Sequence, residues 1–333
     1  MNQKTFQILT DPELVAMRRA WEQRLKEFSN GPIYLQGMAR AGKTDMYESA
    51  EQRVQEALED LAKEVELLRD REVFRPLSVR AALHGVHFVD KILGANVFEL
   101  DGETGNWQTK CLTSPVGRLE RPDLETNATW TAARDFAISF VESGVTVPVF
   151  QLPTIASALN IALNLYGQEF LVAMMADPVA VHHDMDVINN VLLDIHDWYR
   201  ANVPLDLLHQ VACGGRYQPP GSGQICGCST QLISGDQYKQ FAADLDDAIL
   251  SRYPNGGMIH LCGSHTQHIG AWREMRSLTT LQLNDRAAED LEIYLREMPE
   301  KIYYVNPCEG MPVDRVEQLA KTCKIVICAE PAR

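Results

Sequence analysis

The chain has 333 residues, of which 45 are Asp or Glu and 31 Lys or Arg, a formal net charge of −14. That excess of negative charge opposes binding to polyanions, so neither nucleic acid nor an anionic membrane is an expected partner, and no stretch approaches the roughly 20 consecutive apolar residues a membrane helix needs. The length suits one α/β barrel, about 250 residues with room for insertions, better than a minimal domain.

The opening Met1-Asn-Gln-Lys-Thr-Phe6 lacks a signal-peptide pattern, so a cytoplasmic location is expected. In that compartment the eight cysteines (Cys111, Cys213, Cys226, Cys228, Cys262, Cys308, Cys323, Cys328) are expected to be free thiols or metal ligands, not disulfides. Asp11-Pro12 starts a helix that carries apolar residues at helical spacing to Phe28. Gly37-Met-Ala-Arg-Ala-Gly42-Lys43-Thr44 matches the phosphate-loop pattern, but the segment after it, Asp45 to about Arg69, reads as a helix too polar to pack on a nucleotide-binding sheet. Residues 1–70 are therefore taken as an N-terminal helical extension and 71–333 as the barrel.

From Val73 onward, short β-like runs alternate with amphipathic helices: Val73–Val79 then His84–Leu93, and Val145–Leu152 then Ile155–Met175. Asp177-Pro178 caps a helix to about Tyr199, and Leu207–Ala212 is the next strand candidate. The Gly/Pro-rich stretch Gly214–Gly223 is too long for a tight turn and reads as an active-site loop, with Arg216 and Tyr217 as candidate substrate contacts. Cys226-Gly-Cys228 places two sulfurs on one strand face, but no second cluster of matching spacing accompanies it. Ser234-Gly-Asp-Gln237 is a capping box for the helix Tyr238–Leu250. Strands Met258–Leu261, Thr279–Leu283, Ile302–Val305 and Ile325–Ile327 then alternate with helices ending near Met275, Met298 and Thr322, which implies a parallel sheet with its helices outside.

In such a barrel the residues at strand C-terminal ends converge. His260, Cys262, Asp285, Asn306 and Cys328 occupy such ends. His260 and Cys262, two apart, share a strand face, and a thiolate from another strand end, Cys328, completes a His/Cys/Cys set suited to zinc with its fourth position open. The competing interpretation is a hydrogen-bonded core histidine among small buried thiols. His84 and His87, and likewise His265 and His268, share helix faces and are expected at the surface or at helix caps.

These residues resemble the uroporphyrinogen decarboxylase superfamily, in particular its branch of zinc-dependent methyltransferases that act on methylated corrinoid proteins. The likeness runs from about Val73 and rests on Pro153-Thr-Ile-Ala-Ser-Ala-Leu with Leu165-Tyr-Gly167 and Met175-Ala-Asp-Pro178, on Leu232 to Phe241, and on His260-Leu-Cys-Gly263. It implies a (β/α)8 TIM barrel with extra N-terminal helices, zinc on His260, Cys262 and Cys328, a methylcobalamin-type corrinoid as methyl donor, and a small-molecule thiol as acceptor. Asp285 and Asn306 would hydrogen-bond the substrate or the metal ligands. The family's last cysteine sits in a Gly-Cys-Gly turn, whereas here it is Ile327-Cys328-Ala329, which makes Cys308 the substitute. The chain also ends five residues past Cys328, without the family's final helix, which leaves an apolar patch for the N-terminal helices or a homodimer partner.

The same likeness supplies an alternative. Met38-Ala-Arg40-Ala-Gly42-Lys43 is similar to the decarboxylases' arginine loop, and Phe88-Val-Asp90-Lys-Ile-Leu93 to the segment with their catalytic Asp. A metal-free carboxy-lyase would use Arg40 on substrate carboxylates and Asp90 on the intermediate. A third class is a barrel that holds zinc or a corrinoid partner without turnover.

Overall fold

The computed structural model describes residues 1–28, 32–100, 106–209 and 216–331. Cys213, the strand candidate beyond His209 and the first residues of the Gly/Pro-rich loop lie outside the described residues. The strands in chain order are β1 Ile33–Leu35, β2 Met38–Arg40, β3 Val73–Phe74, β4 Leu77–Arg80, β5 Asn96–Glu99, β6 Trp107–Lys110, β7 Val149–Gln151, β8 Leu208–His209, β9 Gly223–Cys226, β10 Gly257–Cys262, β11 Leu278–Asn284, β12 Ile302–Val305 and β13 Ile325–Ile327. Seven of them form one sheet in the order β3-β1-β13-β12-β11-β10-β9, and β2-β4-β7-β8 form a second of four strands. Every pairing in both sheets is parallel.

The two sheets are connected through their strands. β1 passes into β2 across Gln36 and Gly37, and β3 into β4 across Arg75 and Pro76. Pro76 has no N–H to give a ladder, which interrupts the pairing there. Backbone bonds from Gln36 N–H to Phe74 O (2.9 Å) and from Met38 N–H to Pro76 O (2.8 Å) carry the contact across the gap. At the other side, Ala156 bridges Cys226 in parallel, and Ser157 N–H donates to Cys226 O at 2.8 Å. Parallel strands with both faces covered read as near-continuous apolar runs, and β10 and β11 are buried along almost their whole length.

The helices start where local chemistry dictates. Asp11 accepts from Glu13 N–H ahead of Pro12, Asp177 from Ala180 N–H ahead of Pro178, and Ser234 and Gln237 form the anticipated reciprocal box. Among the described residues no helix is long and apolar enough to cross a membrane.

The phosphate-loop match is not realised, and several other stretches depart from the sequence expectation. Met38–Arg40 of the phosphate-loop match is a strand, the next helix begins only at Ala50, and Lys43 N–H donates to the Glu56 carboxylate at 2.8 Å, so no phosphate cradle forms there. The polar helix expected over Asp45–Arg69 is confined to Ala50–Leu61 with a short helical turn at Val65–Arg69. The antiparallel pair β5 and β6, the helix Ala128–Glu142 and β9 were not anticipated; β6 alternates half-buried and exposed positions and so lacks an apolar signature.

The N-terminal helix Pro12–Glu27 covers the opposite edge of the sheets from the strand C-termini. Trp21 stacks on Phe74 at 5.4 Å, and the buried Arg18 donates to Thr146 O (3.3 Å) and Asp206 O (3.1 Å), carbonyls that precede β7 and β8.

Behind the sheet, Asp246 is buried and its carboxylate accepts from Tyr238 Oη at 2.8 Å. Burial pushes its pKa up to about 7. A carboxyl with a raised folded-state pKa binds its proton more tightly in the fold. It contributes stability that is complete below its unfolded pKa near 4 and is lost as pH rises through about 7. Within that window unfolding free energy is expected to fall by about 1.4 kcal/mol per pH unit from this group. Urea titrations between pH 4 and 8 should show that slope flattened in Asp246→Asn, and an equal slope in the variant would refute the assignment.

Candidate metal centre

The site grows out of the pairing of two neighbouring strands. β9 and β10 run in register with Cys226 beside His260, and each strand end carries a second donor two residues on, Cys228 and Cys262. Gly227, between the two β9 cysteines, donates its N–H to His260 O at 2.8 Å. A Cβ at that position would lie 2.7 Å from Ile259 Cγ2, so a residue with a side chain would push the cysteines away from the histidine. Ligand atoms of Cys226, Cys228 and His260 lie within 4.8 Å of one another. Cys226 Sγ and Cys228 Sγ are 3.5 Å apart, and Cys262 Sγ stands 3.2 Å from His260 Nε2.

The three thiols share protons. A hydrogen bond from Cys228, aided by His260, holds the Cys262 thiol well below its ordinary range, and Cys226 is lowered by the same donor. Cys228, the common donor, is raised. The cluster thus favours the thiolates that bind soft or borderline divalent ions.

Side chains around the cluster fix its orientation. His260 Nδ1 hydrogen-bonds Gln282 Oε1, and Gln282 Nε2 donates to Asn306 Oδ1 at 2.7 Å. With Nδ1–H donating to that amide oxygen, the lone pair sits on Nε2, which faces Cys262 Sγ at 3.2 Å. Asn284 Nδ2 donates to Cys262 Sγ at 3.6 Å and to Asp285 Oδ2 at 2.8 Å. Asn160 Nδ2 donates to Cys226 Sγ at 3.8 Å, while Asn160 Oδ1 accepts from Ser229 N–H at 2.8 Å. His265 and His268 are buried, not at the surface: their rings bond Cys228 O (3.2 Å) and Thr230 O (2.8 Å) and so pin the turn that carries Cys228. Replacing Gln282 by Leu, which frees the imidazole while keeping the site apolar, is expected to weaken zinc affinity by about 10- to 100-fold. Competition with a chelator measures it, and unchanged affinity would show that the amide does not orient the ring.

The donor set fits a zinc ion. With Zn–S near 2.3 Å and Zn–N near 2.0 Å, tetrahedral donor-to-donor edges are about 3.5–3.8 Å. The observed 3.5 Å and 3.2 Å separations lie close to that range.

The other candidates are dispersed. Among the described residues, the Cys/His group whose ligand atoms all lie within 4.8 Å of one another is Cys226, Cys228 and His260; Cys328 and Cys308 are not among its members. Cys328 follows β13, three strands from β10 in the sheet order, where burial raises its thiol to about 12 against the opposing influence of Arg216. Cys308 sits in a turn after β12, its N–H bonded to Met311 O at 3.0 Å. Asn306 acts on His260 through Gln282, and Asp285, exposed and at φ +48°, acts on Cys262 through Asn284. Tyr217 is buried, stacked on His209 at 4.4 Å, with its hydroxyl on Glu22, so it faces the interior network of the N-terminal helix. Arg216 is buried, donating from Nη2 to Asn284 Oδ1 at 3.4 Å. Arg40 faces Glu64 at 3.8 Å. Asp90 is fully buried, bonded to His87 Nδ1 (2.5 Å) and to Asn164 Nδ2 (2.8 Å), and desolvation raises its pKa.

Cys226 and Cys228 are the members that the spacing argument set aside. The available signal was the matching periodicity of Cys-x-Cys and His-x-Cys at the ends of two strands that succeed each other in the chain.

No family model matches the chain, and no curated protein matches it. Solved structures do. A methyltransferase from Methanosarcina mazei superposes with a TM-score of 0.66 at 12% identity, over 95% of this chain and 93% of that one. A B12-independent methionine synthase from a Shewanella species gives a looser likeness, a TM-score of 0.45 at 9% identity over 89% and 91% of the two chains. At such identities the first likeness is one of fold.

Proposed function

We propose that the protein is a zinc-dependent methyltransferase that moves a methyl group from a methylated corrinoid, carried by a partner protein, to a small-molecule thiol. We further propose that its two parallel sheets are one barrel wall, with the N-terminal helices closing the end away from the site. The observation that carries the reading is the gathering of Cys226, Cys228, His260 and Cys262 at the C-terminal ends of adjacent parallel strands, where barrel enzymes place their chemistry. The fold likeness to a methyltransferase supports it.

Cys226, Cys228, His260 and Cys262 would hold the metal. Zinc bound there would supply Lewis acidity that deprotonates a substrate thiol near neutral pH. The chain's own groups do the remaining work. Gln282 and Asn306 keep the imidazole in one tautomer, Asn284 and Asn160 donate to the sulfurs of Cys262 and Cys226, and the buried strands exclude water from that side. Cys226, Cys228 and His260 have ligand atoms within 4.8 Å of one another and Cys262 stands 3.2 Å from His260 Nε2, so room for a substrate thiol would come from one of these groups moving aside. Cys228, half-buried and on a turn and not a strand, is the donor placed to yield.

Metal analysis of purified protein, followed by methylcobalamin with a panel of thiols and folates, tests the reading. About one equivalent of zinc and methyl transfer to a thiol are expected. Metal-free protein that decarboxylates a porphyrinogen would overturn it in favour of the carboxy-lyase reading. The observation behind that alternative is the desolvated Asp90, one of whose oxygens has no hydrogen-bond partner.

A further inference from the structure

Cys226 and Cys228 are a dithiol as well as a pair of candidate ligands. Their sulfurs stand 3.5 Å apart. The one residue between them, Gly227, sits at φ −109° and ψ 19°, which bends the chain there instead of extending it and draws the two Cα atoms together. Backbone bonds fix the pair in place: Cys226 N–H donates to Ile155 O (3.2 Å), Cys226 O accepts from Ser157 N–H (2.8 Å), Gly227 N–H donates to His260 O (2.8 Å), and the His265 ring bonds Cys228 O (3.2 Å). A disulfide sets its sulfurs about 2.05 Å apart, so closing one here asks for about 1.5 Å of approach, within reach of side-chain rotation.

The two thiols differ in access. Cys226 is buried, whereas Cys228, on the short turn after β9, is half-buried. A small oxidant therefore meets Cys228 first and finds Cys226 behind it as the resolving thiol. Cys262 is the rival partner, since it also takes a hydrogen bond from Cys228, but its sulfur is turned to His260 Nε2 (3.2 Å) and the Asn284 amide (3.6 Å).

We propose that Cys226 and Cys228 form a reversible disulfide when the protein meets hydrogen peroxide, and that this modification releases the metal. The Cys228 thiolate attacks the peroxide, the O–O bond breaks, a sulfenic acid forms on Cys228 and hydroxide leaves. The Cys226 thiolate then attacks the Cys228 sulfur: the S–S bond forms, the S–O bond breaks and a second hydroxide leaves. Two protons turn both hydroxides into water. The sulfur pair gives up two electrons and the peroxide takes them. With both sulfurs tied up, His260 and Cys262 remain, one fewer than the three protein ligands of an open zinc site. Only the metal-release half rests on the methyl-transfer reading; the disulfide itself needs no metal.

Titrating the purified full chain with hydrogen peroxide tests this, read by thiol count, tryptic mass mapping and a chromophoric zinc chelator. Cys226 and Cys228 share the tryptic peptide 217–239, while Cys262 lies in 253–273. The expected result is a loss of about 2 Da confined to the first peptide, and release of about one equivalent of zinc in step with it. Dithiothreitol should restore both thiols, and zinc should then rebind. Cys228→Ser should abolish the crosslink. Cys262→Ser, which keeps the dithiol but lacks a ligand, should still form it with no zinc to release. Cys308→Ser and Cys328→Ser should behave as wild type. A crosslink in protein that never held zinc would end the metal reading and leave the disulfide standing. Zinc release with both thiols still free, a crosslink joining the two peptides, or oxidation of Cys228 to the sulfinic acid in place of a crosslink overturns the proposal.

Discussion

Serine in place of Cys226, Cys228 or Cys262 is expected to strip zinc from the purified protein and to lower methyl transfer by about a thousandfold or more, whereas Cys328→Ser and Cys308→Ser keep the metal. The magnitude follows from a comparison: removing a group that merely orients a ligand costs about 10- to 100-fold, and removing the ligand must cost more. The discrimination follows from geometry. Cys226 and Cys228 lie with His260 inside a 4.8 Å group and Cys262 touches the ring, while Cys328 is three strands away in the sheet order. Serine is nearly isosteric with cysteine but a poor zinc donor, so the fold survives the test. Metal content by mass spectrometry under native conditions measures the outcome. A Cys328→Ser protein that loses its zinc while Cys226→Ser retains it would sink the four-donor cluster and restore the ligand set expected from strand ends alone.

Glu22→Ala is expected to destabilise the protein by about 3 to 5 kcal/mol, a large share of the roughly 5–15 kcal/mol that holds a typical domain folded. Arg18 is 1% exposed and pairs with Glu22 at 2.5 Å, and the same carboxylate accepts from the Tyr217 hydroxyl. Truncating Glu22 leaves a charged guanidinium in the interior with only two backbone carbonyls and a phenol hydroxyl. Removing both partners has the opposite logic: Arg18→Met with Glu22→Leu restores apolar packing and should recover most of the loss. Denaturant unfolding of the two single variants and the double gives the coupling directly. Additive losses in the double variant would show that the pair does not act as a unit.

Much of the architecture was legible from the chain because the final strands announce themselves. Each is a short, largely apolar run, and His260 and Cys262 fall two apart, so their common face follows from strand geometry alone. The third and fourth donors were not legible for a physical reason. Their position depends on which strand lies beside β10 and in what register, which the matching Cys-x-Cys and His-x-Cys spacing hints at but does not fix. β9 itself was hidden because Gly223–Cys226 emerges from a Gly/Pro-rich stretch and is only four residues long. The hairpin of β5 and β6 escaped for a different reason, since half-exposed Trp107–Lys110 carries too little apolar contrast to be seen. Tyr217 misled because a loop residue beside a strand end ordinarily faces substrate, whereas here the ring turns inward to meet the N-terminal helix.

Because Cys226 and His260 meet only through the alignment of β9 on β10, binding of the proposed metal would double as a folding gauge. A slip of a single residue between those strands would turn one pair of donors to the opposite side of the sheet and abolish the pocket. Metal uptake during refolding should therefore lag until this late-sequence pairing has settled, and a spectroscopic ion such as cobalt would report, second by second, when the last third of the chain has found its proper neighbours.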